Sequence, residues 1–171
     1  MKRSAAALIA LGFAALPARA EWLLDGGVAI VSPTGGNSTI ELLVVHCGDP
    51  YHVEVLSRGG PVRPDGDEAA EADYFYQPGK VQARIDGQAF PLVAAGSEAA
   101  VVLFGQGSAA QNHMASIDPS LIAALKAGTT LTLAFDITSQ ANADGTPHET
   151  FADFPLAGSS AVLDAALADC G

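Results

Sequence analysis

Basic residues are scarce in this 171-residue chain: 8 lysines and arginines stand against 19 acidic side chains, a formal net charge of −11 at pH 7. Such a chain repels nucleic acid phosphates and anionic lipid headgroups, so neither is an expected partner, and a charged partner should be basic. An acidic, low-lysine surface also keeps an extracytoplasmic protein soluble without any partner. Cysteine is scarcer still, with Cys47 and Cys170 alone, and they lack the close Cys-x-x-Cys spacing of a redox pair. Catalytic signatures are missing too. No Gly-x-Ser-x-Gly elbow places a nucleophile, and Gly105-Gln106-Gly107 is too short for a phosphate loop. The residues signal no enzyme, and no cofactor is expected.

The apolar run from Ala5 to Leu16 falls short of the roughly 20 residues that span a bilayer. It follows Lys2 and Arg3, is broken by Pro17, and leads to the small-x-small site Ala18-Arg19-Ala20. This is the pattern of a secretory signal peptide over residues 1–20, leaving one mature domain over residues 21–171 with no membrane span. No cysteine lies near the cut to carry a lipid. Cleavage removes Lys2, Arg3 and Arg19 and no acidic residue, so the net charge deepens by three units. A periplasmic or secreted location makes one disulfide the default for two cysteines, with a free thiol pair as the rival reading.

Periodicity reads as strands. After a segment carrying Trp22 and a turn cluster at Pro33 to Asn37, Ser38 to Cys47 reads as a strand largely apolar on both faces from Leu42 onward, with Ile40, Leu42, Val44 and His46 on one side. Gly48-Asp49-Pro50 turns it into an antiparallel partner, Tyr51 to Ser57. Gly59 to Asp73 is a long exposed loop rich in carboxylates, followed by a short edge strand at Tyr74 to Tyr76. Lys80 to Asp86 returns through an Asp86-Gly87 hairpin into Gln88 to Ala95, with a further apolar run at Glu98 to Phe104. Asp118-Pro119 opens a helix that Gly128 stops, and Thr129 to Thr138 alternates with Leu131, Leu133, Phe135 and Ile137 facing in. A last strand, His148 to Leu156, leads to a helix capped by Ser159 or Ser160 and ending at Asp169. The expected fold is mostly β, an antiparallel β-sandwich of about eight strands with two short helices, one before the penultimate strand and one C-terminal. A single α+β sheet is the alternative.

The apolar strand ending in Leu42-Leu43-Val44-Val45-His46-Cys47, the Val81 to Asp86 strand and the close Phe154-Pro155-Leu156-Ala157-Gly158-Ser159-Ser160-Ala161-Val162-Leu163 before a terminal cysteine form a pattern. Together with the early Trp22, it resembles the small periplasmic proteins grouped with invasion-associated locus B and with the VasI/TagO accessory proteins of type VI secretion. The resemblance implies a β-rich envelope protein without catalysis that acts by binding an envelope partner. It also implies Cys47 and Cys170 as a disulfide pair. The acidic stretch Asp65 to Asp73 lies outside that pattern.

Two constellations bear chemistry. His46, Asp49 and His52 surround a tight turn, with Glu54 just beyond, and nitrogen and oxygen donors at this spacing can hold zinc or copper. The competing reading is a core histidine at His46, which shares a strand face with aliphatic neighbours. Asp65, Asp67, Glu68, Glu71 and Asp73 offer a contact loop for a cationic partner but lack the ordered spacing of a calcium loop. Three functions are therefore carried forward: a non-catalytic envelope binding or accessory protein, an acidic inhibitor of a basic envelope or extracellular hydrolase, and a weak metal-binding protein.

Overall fold

The computed structural model describes residues 21–67, 69–96 and 98–170; the expected leader and Glu68 of the acidic loop lie outside the described residues. The strands are β1 (Leu23–Asp25), β2 (Val28–Val31), β3 (Gly35–Gly36), β4 (Ile40–Cys47), β5 (Tyr51–Ser57), β6 (Val81–Ile85), β7 (Gln88–Ala95), β8 (Ala100–Gln106), β9 (Met114–Ala115), β10 (Thr130–Phe135) and β11 (Thr150–Pro155). Helix α1 (Pro119–Ala127) precedes β10, and α2 (Ser159–Ala166) follows β11. The fold is mostly antiparallel β with two short helices, as the periodicity predicts. The strands join one 11-stranded sheet, in the order β1-β2-β4-β5-β8-β7-β6-β10-β11-β3 with β9 beside β8, so any layering comes from that sheet curling on itself.

The curl has a simple cause. β2 lies near one end of the sheet and β3 at the other, yet only three residues separate them in the chain. The glycines expected to form a turn instead lie against β11, where a Cβ on Gly36 would sit 2.3 Å from the Phe151 carbonyl oxygen. Asn37 continues the ladder with its side chain: Oδ1 accepts from the Phe151 amide at 2.7 Å, and Nδ2 donates to the Glu149 carbonyl at 3.2 Å. The Trp22 indole N–H donates to the Pro155 carbonyl at 2.8 Å, tying the start of the described chain to the end of β11.

Alternation fills the interior. Val81, Ala83 and Ile85 of β6 and Leu131, Leu133 and Phe135 of β10 all point into one apolar cluster. In β4 a bulge between Ile40 and Leu42 shifts the phase. The cluster accordingly holds Ile40, Leu43 and Val45 but not Leu42 or Val44, which separates Ile40 from the face expected for it. Asp118 caps α1 by accepting from the Ser120 amide at 2.7 Å, with Pro119 in the first turn, and Leu121, Ile122 and Leu125 are buried. The second helix departs from expectation. Gly158 is its cap, and the buried Ser159 hydroxyl donates 2.7 Å to the Leu125 carbonyl, joining the two helices. The helix stops at Ala166, three residues short of Asp169, and the chain then turns to reach the disulfide Cys47–Cys170, whose Cα atoms are 5.2 Å apart.

The acidic loop is anchored at both ends. Thr39 and Arg63 exchange hydrogen bonds, and the Asp65 amide donates to the Asn37 carbonyl at 2.8 Å. Tyr74, expected on an edge strand, is fully buried: its hydroxyl accepts from the Val62 amide at 2.8 Å and its ring meets Phe135 edge to face. Burial pushes the Tyr74 hydroxyl above its ordinary range.

Two predictions follow from these ties. The disulfide closes a sequence separation of 123 residues, so the Cys47→Ser/Cys170→Ser variant should lose about 5 kcal/mol in urea unfolding by the chain-entropy relation. Asp86, Asp118 and Asp144 are held below the carboxylate value of 3.8 chiefly by the hydroxyls of Thr129, Ser120 and Thr146. A carboxylate depressed by folding stabilises the native state above its unfolded pKa, and this is lost as pH falls through the folded value. Asp86→Asn should therefore be less stable than the parent at pH 7, with the gap in melting temperature closing as pH drops below 3.8.

Candidate functional site

The densest set of donor side chains sits at the β4–β5 turn. His46 and His52 are cross-strand partners, so their side chains leave the sheet on the same side, and Glu54 lies two residues along on that face. The rings stack with centroids 4.4 Å apart and planes 23° from parallel. His52 Nε2 lies 3.3 Å from Glu54 Oε2. His46 Nδ1 lies 2.7 Å from the Cys47 carbonyl oxygen, which can only accept. The contact fits the tautomer with the proton on Nδ1. Gly48 makes the turn possible, since a Cβ there would fall 2.9 Å from both the amide nitrogen and Cβ of His52.

His46 is thus half-buried on the outer face rather than in the core. Asp49 does not join the histidines; Glu54 does, and the donor atoms of His46, His52 and Glu54 all lie within 4.8 Å of one another. Asp49 instead shares with His52, Tyr51, Phe104 and Met114 a cleft of about 410 Å³ beside the turn. The signal for Glu54 was present in the sequence, because a strand places residues two apart on one face.

The acidic loop arranges its carboxylates differently. Asp65, Asp67, Glu71 and Asp73 are exposed. Asp65 accepts from Arg58 Nη2 at 2.6 Å, and Asp73 accepts from the Gln77 side-chain Nε2. Among the described residues, no three of the loop's carboxylates converge as a metal-binding group.

A second polar groove, about 360 Å³, lies on the outer face of β10 and β11 between Arg84, Thr132, His148, Glu149 and Asp153. Its organising contact is a fork in which Arg84 donates to both Glu149 oxygens, at 3.2 and 2.5 Å, while Gln82 donates to Oε1 at 3.1 Å. Sequence reading misses this pairing because the partners are 65 residues apart and join only when β6 and β11 flank β10. Asp153 accepts from the Thr132 hydroxyl at 2.5 Å, so this groove too is held by internal bonds.

Removing Glu149 leaves Arg84 and Gln82 without their acceptor in a partly buried setting. Glu149→Ala should cost about 1 to 2 kcal/mol in urea unfolding, and Arg84→Ala in the same background should add little, because the two act as one unit.

No protein-family model matches the chain, and no curated protein and no solved structure matches it.

Proposed function

We propose that this chain is a non-catalytic binding or accessory protein of the bacterial cell envelope, periplasmic or secreted, that works by docking a protein partner. The observation that carries this reading is the edge of the sheet at β1. Among the described residues β1 has a single strand neighbour, β2. Its two leucines point to opposite faces and both are exposed, Leu23 at 61% and Leu24 at 49%. A strand edge with unpaired backbone groups and apolar side chains is a template for an added strand. Glu21 and Asp25 flank the leucines, which suits a partner strand bearing basic residues.

Other features support the same reading. A disulfide is compatible with an extracytoplasmic compartment. No described helix is long and apolar enough to cross a membrane. The resemblance to periplasmic proteins of the invasion-associated locus B and type VI accessory kind points toward binding rather than chemistry.

A second reading rests on the acidic loop. Its ends are fixed by Thr39, Asn37 and Tyr74, so Asp67, Glu71 and Asp73 are displayed from a held frame. That arrangement suits an inhibitor covering a basic envelope or extracellular hydrolase. Salt separates the two, since exposed charge contacts are screened and apolar strand pairing is not.

The test is crosslinking of the protein in its own cell envelope, at low and high salt, beside a Leu23→Ser/Leu24→Ser variant. The expected result is a partner retained at high salt by the parent and captured at least tenfold less by the variant, whose melting temperature should be unchanged. Capture lost at high salt but unaffected by the variant would move the acidic loop to the front. Capture insensitive to both would overturn the β1 reading.

A further inference from the structure

We propose that His46, His52 and Glu54 form a binding site for one borderline divalent transition-metal ion, zinc or copper(II). The inference is independent of the partner at β1 and stands on the geometry of the β4–β5 hairpin.

Four observations converge. The two imidazoles are cross-strand partners stacked at 4.4 Å, and the Glu54 carboxylate completes a set whose donor atoms lie within 4.8 Å of one another. Around a tetrahedral ion with bonds of about 2.0 to 2.2 Å, neighbouring donors sit roughly 3.3 Å apart. The set therefore needs to draw in by up to about 1.5 Å, and the stacked rings must turn so that their in-plane lone pairs meet at one point. The His46 ring is held as a ligand would be: Nδ1 lies 2.7 Å from the Cys47 carbonyl, a contact that fits the tautomer with Nε2 free to bind. A backbone carbonyl on the far nitrogen is the usual device that sets the tautomer of a metal-bound imidazole.

The platform is also rigid. β4 and β5 pair over their full length between β2 and β8, and the disulfide at Cys47 adjoins His46. Sites on braced strands hold their geometry better than sites on loops.

The donor set decides the class of ion. Two imidazoles and one carboxylate suit zinc or copper(II), whereas calcium and magnesium call for oxygen donors throughout. No thiolate competes, because both cysteines are joined. Three protein donors leave a fourth position open on the solvent side, where His52 borders the cleft beside Asp49 and Met114. The simpler account of the same residues is a His52–Glu54 ion pair with a stacked ring above it, and it predicts no selective uptake of any ion.

The experiment is calorimetric titration of tag-free protein with zinc and copper(II) salts, with calcium and magnesium as controls. Electron paramagnetic resonance of the copper(II) form counts the bound nitrogens. The expected result is one equivalent of zinc or copper(II), no uptake of calcium or magnesium, and two imidazole nitrogens on copper. His46→Gln and His52→Gln should each weaken binding about a hundredfold or more, and Glu54→Gln about tenfold. Asp49→Asn and His148→Gln should leave it unchanged. Metal-free melting temperatures guard against misfolding, and Glu54→Gln, which keeps size and polarity, is the second probe if a histidine variant unfolds. Failure to bind one equivalent, binding that survives both histidine substitutions, or equal loss in His148→Gln would each overturn the proposal.

Discussion

Three residues between β2 and β3 set the shape of this molecule. The chain leaves one end of a long antiparallel sheet and at once joins the other, so the sheet has to curl and bring those two ends near each other while remaining open at β1. The contacts that join them are polar: the Asn37 backbone amide donates to the Phe151 carbonyl, Asn37 Oδ1 accepts from the Phe151 amide, and the Trp22 indole donates to the Pro155 carbonyl. Each contact satisfies a backbone group of β11 that an edge would leave open. The large apolar side chains can then face one enclosed space.

That space has an open end, and the helices fill it. Leu121, Ile122 and Leu125 of α1 enter among Leu43, Leu92, Leu103 and Leu133, while α2 adds Leu163 and Ala166 and packs across β1, β2 and β4. The Ser159 hydroxyl and the Lys126–Asp164 pair hold the helices to each other. The disulfide then fastens the end of the helical layer to β4, beside the histidine pair. The most constrained part of the fold and its densest donor cluster are therefore neighbours.

What was legible in the sequence was local. Asp86-Gly87 specified a tight hairpin, and the structure gives both residues positive φ. Asp118, Pro119 and Gly128 bounded α1, and strict alternation exposed β6 and β10. What was not legible depended on distant partners. Gly35 and Gly36 read as a turn because nothing nearby announces β11, and Ser159 read as a cap because its true acceptor, Leu125, is 34 residues away. The bulge after Ile40 shifted a face by one residue, which strand pairing decides and alternation cannot. At the candidate site the histidines were found from spacing, whereas Asp49 was favoured over Glu54 for its closeness in the turn rather than for its strand face.

The order of pairing along the chain has a kinetic side. β3 waits for β11, β4 waits for Cys170, and Trp22 waits for Pro155, so the closing contacts join the first quarter of the described chain to its last residues. For a chain that emerges N-terminus first, from a ribosome or through a membrane pore, none of these can form until nearly all of it has been delivered. Non-local pairing of this kind delays folding, because loop closure must precede the contacts that reward it. The local hairpins β4–β5 and β6–β7 need no such wait, so what comes last is the joining of the two ends of the chain rather than the strands themselves.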